Sequence, residues 1–144
     1  MANDSIGDRM KERYENRYRF LLPRRTYTLI RVDGKAFHTW TKGMDKPFDK
    51  DLMGLMDAVA VAMCEEIQGA KLAYVQSDEI SILLTDFESP NTEAWFNGNL
   101  QKMVSISAAI ATAKFNDSAL DAYLNGGIQK FFKIFPVIGV FACI

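Results

Sequence analysis

The spacing of apolar and polar positions changes several times along this chain, and each change predicts an element. "YTLIRV", from Tyr27 to Val32, is rich in β-formers. Alternation puts Ile30 and Val32 on one face and Leu29, Arg31 and Asp33 on the other. The period then lengthens: Leu52, Met56, Val59, Met63 and Ile67 recur at helical spacing. Asp49 can cap that helix, which is expected to run to about Gln68 before Gly69 stops it. Leu72 to Gln76 and Ile80 to Thr85 read as two short strands about the turn "SDE". Ser89-Pro90 resembles a helix start and predicts a long helix to about Phe115. Its second half, "SISAAIATA", is small enough to lie close on a sheet. Ser5 to Phe20 reads as an amino-terminal helix that ends near Pro23, and Ile134 to Ile144 as a last apolar strand.

The order is a helix followed by β-α-β-β-α-β, the split βαβ or ferredoxin-like pattern of an α+β fold. Helices cover the face that carries Ile30 and Val32. The other face stays open and carries Arg31 and Asp33. At 144 residues the chain is read as one domain, large enough for a real core.

Composition narrows the class. Nearly half the residues, 49%, are hydrophobic, so disorder is excluded. No apolar run approaches a membrane span and the amino terminus is charged, so the expectation is a cytoplasmic protein with no membrane partner. Cys64 and Cys143 have no CxxC spacing and no zinc-type histidine pattern, and read as free thiols. The net charge of −1 hides an asymmetry: residues 1–46 carry eleven Lys/Arg against six Asp/Glu, the remainder six against twelve. "KERYENRYRFLLPRRTY" interleaves arginine with aromatics, which suits a phosphate backbone, with Arg24 and Arg25 as candidate RNA contacts; a solvated amphipathic helix is the plainer alternative.

The candidate chemistry lies in two acidic stretches. Asp33 ends the first strand and Asp78 sits in the hairpin turn, so the fold lets them meet at one end of the open face. Two convergent carboxylates without histidine or thiolate make an oxygen-only site of the kind Mg²⁺ takes. Two such ions about 4 Å apart serve phosphoryl or nucleotidyl transfer. Gly34 lets backbone approach a ligand, and "GKAFH" can offer amide donors to a triphosphate, with Lys35 and His38 adding positive or donor groups. Each feature has a plainer reading: Asp-Gly as an ordinary turn, Asp78-Glu79 as a solvated one, His38 as packed, and Phe37 as core rather than a stacking partner.

"RVDGKAFH", the "KP" at Lys46-Pro47 and "AYVQSDEISILL" together resemble the tRNA(His) guanylyltransferase family and its 3′–5′ RNA polymerase relatives. "ENRYRFLLPRRTYTLIRVDGKAF" and "NTEAWFNGNLQKMVSISAAIATAKFN" are similar to its shorter bacterial, archaeal and phage branch, and the resemblance covers about Met10 to Asn116. It implies a polymerase-palm fold. It implies that Asp33, Asp78 and the Gly34 carbonyl hold two Mg²⁺ ions, with Glu79 supporting them as a further catalytic acid. Asp33, Gly34, Lys35, Ala36, Phe37 and His38 would wrap the nucleotide, touched by Ser77 and Asp78, and Lys46 would serve activation of the 5′ end. The implied reaction adds guanylate or templated nucleotides to the 5′ end of tRNA, with GTP and ATP as substrates, in a homo-oligomer, the family tetramer. The family continues as Phe-Asp-x-Arg and then a helical region, whereas this chain has Ala142 and Ile144 at those places and stops, so that region is expected to be missing. Two alternatives remain: an inactive truncated palm fragment that only binds nucleotide or RNA, and a palm-type nucleotide cyclase.

Overall fold

The structure, a computed structural model, describes residues 5–126. Three strands form one antiparallel sheet in the order β1-β3-β2: β1 is Thr28–Asp33, β2 Ala70–Gln76 and β3 Glu79–Leu84. β1 and β2 flank β3, so the connection between them crosses over the sheet, through helix α3 (Lys50–Glu66). Helix α4 (Leu100–Leu124) packs beside α3 on the same face.

The alternation read in β1 sets the sidedness. Ile30 and Val32 are buried, as are Ile80, Ile82 and Leu84 of β3. Leu55, Met56, Val59, Ala60, Met63 and Ile67 close over them from the α3 segment. Burying each such large aliphatic side chain contributes roughly 1.5–3 kcal/mol. α4 contributes Met103, Ser107, Ala111, Phe115 and Ala119, each four residues after the last, one ridge along the helix. Three of the five are Ser or Ala, which lets the helix lie close to α3 and the sheet. Gly69 (φ +85°) makes the turn from α3 into β2; a Cβ there would collide with the Thr85 carbonyl oxygen, whose own amide donates to Gly69 O at 3.0 Å.

Several expected boundaries move. The long helix does not start at Ser89-Pro90, where Ser89 and Thr92 instead close a small turn on each other. It starts at Leu100, capped by the Asn99 side chain accepting from the Lys102 amide at 3.1 Å, and continues to Leu124 rather than Phe115. The intervening residues form only a short, irregular 3₁₀ turn, Trp95–Gly98, and are tied to distant partners: Arg24 binds the Thr92 carbonyl, Gln68 binds that of Glu93, and Leu22 pairs with Gly98. The amino-terminal helix is also shorter. α1 spans Ile6–Arg13, Tyr14 breaks it, and Glu15–Tyr18 forms a single 3₁₀ turn. α1 buries no residue, and from Phe20 the chain is extended, with Leu21 bridged to Asn99. α3 ends at Glu66, and a one-turn helix α2 (Phe37–Trp40) follows β1. The expected last strand, Ile134 to Ile144, lies outside the described residues, as does Cys143. Cys64 is a half-buried free thiol. No helix among the described residues is long and apolar enough to cross a membrane.

Candidate functional site

The register of the sheet brings the two acidic stretches together. Asp33 is paired with Glu79, and Glu79 with Gln76, so one row across the open face ends at the β2–β3 turn. That turn has two residues, Ser77 and Asp78. Glu79, expected in the turn, is the first residue of β3. The Gly34 amide donates to the Asp78 carbonyl at 3.1 Å, which fastens the end of β1 to the turn. Gly34 has no room for a side chain: a Cβ would overlap the Phe37 ring. Phe37 in turn packs edge-on against Phe115 of α4 at 5.3 Å and beside Trp40 at 5.6 Å, all three buried. The aromatic cluster is therefore the floor beneath Asp33, Gly34 and Asp78, and a small cavity between them is lined by all three.

The electrostatics show what this end of the sheet lacks. Burial raises the Asp33 carboxyl above its ordinary range, and the charges of Asp78 and Glu79 push it further up. Arg31 opposes them, and pairs with Glu79 at 3.7 Å, with both side chains well exposed. The crowded carboxylates have more negative charge than the neighbouring side chains neutralise, and a cation would relieve it. Among the described residues no three of His, Cys, Asp or Glu gather tightly enough to hold a metal by themselves. The donor set fits Mg²⁺ on those terms: it takes a carboxylate or two and a carbonyl from protein and completes its shell with water and phosphate oxygens.

Beside the acids opens a cleft of about 380 Å³, lined by Gly34, Ala36, Phe37, His38, Lys46, Ser77 and Asp78 among others. Ala36 and Ser77, both in its lining, have left-handed backbone, φ 59° and 57°, which costs a residue other than glycine about 1 kcal/mol. His38 is exposed and contacts Thr39 Oγ1 through Nε2 at 3.2 Å. Lys35 is exposed and does not line the cleft, and Asp33 lines the small cavity beside it.

The wall of the cleft also includes Thr41, Met44, Asp45, Pro47, Asp49 and Leu52, none of which was expected as a site residue. Asp49 was legible only as a helix cap. One of its oxygens accepts from the Asp51 and Leu52 amides at 3.0 Å, and the other accepts the Asp45 amide at 3.0 Å. The cap thus also pins the loop that passes over the cleft. These amides, Leu52 and Asp45 foremost, hold the Asp49 carboxyl below its ordinary range.

Arg24, one of the two candidate RNA contacts, is engaged within the chain, although its side chain stays 43% exposed. Its Nε donates to Asp86 at 2.7 Å and its guanidinium also reaches the Thr92 carbonyl at 2.7 Å. The exposed basic and aromatic residues of the amino-terminal segment that remain include Arg17, Tyr18, Arg19 and Phe20.

Comparison with known proteins gives a consistent answer. Residues 7–136 match the family model described as tRNAHis guanylyltransferase. An uncharacterised protein of Acanthamoeba polyphaga mimivirus is 32% identical over 122 residues, covering 81% of this chain and 41% of that protein. The tRNA(His) guanylyltransferase of Schizosaccharomyces pombe is 39% identical over 97 residues, 66% of this chain and 35% of that one. The chain thus spans about two fifths or less of these relatives' length. Among solved structures, a bacterial tRNA(His) guanylyltransferase-like protein in complex with GTP superposes with a TM-score of 0.80 at 46% identity, covering 96% of this chain and 62% of that one. Its counterpart in complex with ATP gives 0.81 at the same identity, covering 96% and 56%.

Proposed function

The chain belongs to the tRNAHis guanylyltransferase family, and on that premise we propose that it adds nucleotides to the 5′ end of a tRNA in the 3′–5′ direction, with GTP and ATP as substrates and Mg²⁺ as its metal. The observation that carries this reading is the fastening of Gly34 to Asp78, beside a small cavity lined by both Asp33 and Asp78 and next to the cleft that Asp78 also lines. The nucleotides bound by the bacterial neighbours support the choice of substrates.

In this reading Asp33, Asp78 and the Gly34 carbonyl hold the metal, and Glu79 keeps Arg31 and the row beside it in place. Bound there, Mg²⁺ neutralises phosphate oxygens and favours ionisation of the attacking hydroxyl. The backbone from Gly34 to His38 cradles the triphosphate, and Ser77 closes on it from the hairpin. Lys46, in the cleft wall, offers its charge to the 5′ phosphate during activation by ATP. The GTP 3′-oxygen then bonds to the 5′ phosphorus of the RNA. The phosphoanhydride at that phosphorus breaks, pyrophosphate or AMP leaves, and the hydroxyl proton is lost to solvent. A homo-oligomer in the cytoplasm belongs to the same proposal, and light scattering reads its mass.

The test is 5′-extension of a tRNA transcript lacking its first nucleotide and carrying a 5′-triphosphate, with labelled GTP and Mg²⁺. Label joined at the 5′ end by the parent and not by Asp78→Ala supports the reading. GTP converted to a cyclic product without RNA would replace it with the cyclase. A folded chain that binds GTP and turns over nothing would replace it with the inactive palm.

A further inference from the structure

The open face of the sheet continues past the acids, and what it carries there has no role in the cleft. The next row runs Arg31, Ser81, Tyr74, aligned across β1, β3 and β2. Beyond it come Leu29, Leu83 and Leu72. Tyr74 and Leu72 are each 61% exposed, an unusual position for large side chains in the middle of a strand. Consecutive rows lie about 6.7 Å apart, so Tyr74 and Arg31 sit one step along the strands from the acidic row. Ser81, between them in the row, is the smallest of the three side chains, so the row is lowest at its centre, a shallow trough by residue size.

Resting on the function proposed above, we propose that this trough receives the unpaired 5′ end of the RNA, with Tyr74 stacked on a base and Arg31 set against a backbone phosphate. An open antiparallel sheet with exposed aromatics is a general platform for single-stranded RNA, because every base offers a face for stacking. Two features favour RNA over a protein partner. The trough is continuous with the acidic row, so a strand lying in it leads its end to Asp33 and Asp78. And Arg31 is the only cation in these two rows; its pair with Glu79 is long, 3.7 Å with both side chains exposed, so a phosphate can compete for it. Stacking reads no sequence, which suits a site that must accept whatever nucleotide ends the RNA.

The experiment is equilibrium binding of the 5′-truncated tRNA transcript, and separately of GTP, to the full chain and to Tyr74→Thr and Tyr74→Phe. Threonine keeps the strand-forming character of an exposed position, and thermal melts check the fold. Tyr74→Thr is expected to weaken RNA binding about ten-fold and leave GTP binding alone, while Tyr74→Phe stays near the parent. Arg31→Gln is expected to lower the salt dependence of RNA binding by about one phosphate contact. RNA affinity indifferent to Tyr74→Thr overturns the proposal. So does dissociation of subunits by Tyr74→Thr at unchanged RNA affinity, which would make the face a contact between copies. Because binding is measured without turnover, the two readings separate. Tyr74-dependent RNA binding without 5′-extension would leave this proposal standing and sink the activity. Extension by a chain whose RNA affinity ignores Tyr74 would do the reverse.

Discussion

The two ends of the sheet treat a partly or fully buried carboxylate in opposite ways. At one end Asp86, two residues beyond β3 and only 7% exposed, is answered within the chain. The Arg25 amide and the Arg24 guanidinium hold its carboxyl below the ordinary range. Arg24 bridges onward to the Thr92 carbonyl, so the pair ties the segment before β1 to the one before α4. At the other end Asp33 faces Asp78 and Glu79, and its carboxyl is pushed up. One end has its charge balanced by the fold. The other keeps an excess that the fold tolerates, and the excess is where the proposed metal would sit.

The comparison predicts different consequences for similar substitutions. The largest effect is expected at the acidic end, on activity: Asp33→Asn or Asp78→Asn should lower 5′-extension by orders of magnitude. Thermal stability without metal should hold or rise, since a repelling charge is removed, and the stabilisation of the parent by added Mg²⁺ should disappear. A variant that keeps its activity would end the metal assignment.

The next largest effect is on stability, at the opposite end. Arg24→Ala leaves Asp86 buried with one fewer partner, and denaturant unfolding should show a loss of roughly 2–3 kcal/mol, below the range for fully buried pairs because Arg24 is partly exposed. A loss within error would mean that solvent replaces the guanidinium and the end is not held by this pair.

Acidification should separate the two ends with opposite signs. Asp86 and Asp49 have depressed values, so the stability they contribute is present above the usual carboxylate range and is lost as pH falls through their folded-state values. Asp33 has a raised value, so its ionised form costs stability, and protonation through that raised value recovers it. Asp86→Asn should therefore flatten the fall in stability below about pH 4, and Asp33→Asn should remove a gain in stability that the parent shows as pH falls towards about 4. Parallel curves for the two variants would erase the contrast. The smallest effect is at Ser77: glycine relieves its left-handed backbone but loses more chain entropy, for a net gain of about 0.5 kcal/mol by melting.

Much of this was legible beforehand. The alternation in β1 gave its buried face, the spacing in α3 gave its stripe and Asp49 its cap, because each depends on local geometry and on burial of the nearest apolar groups. Asp33 and Asp78 could be named because they stand at the ends of strands whose pairing the order of elements already suggested. Reading failed where long-range partners overrode local signals. Ser89-Pro90 is a fair helix start by its own chemistry, yet Arg24, Gln68 and Leu22 bind the following residues and move the start to Leu100. The partner of Arg24 was not legible, because a linear pattern does not show Asp86 sixty-two residues away. Thr41 and Met44 carried no mark at all, since the path of their loop is set by the second oxygen of Asp49.

The sequence by itself determined the three strands β1 to β3, the covered face of the sheet, the place of the two acids at strand ends and the family, all of which follow from side-chain period and from motifs carried on contiguous residues. Only the tertiary structure decided which charges were already spoken for. Arg24 is taken by Asp86, Asp33 is crowded by Asp78 and Glu79, and Tyr74 is left in the open across Ser81 from Arg31, because neutralisation depends on distance in space and the chain sets that distance only when the sheet has closed its register.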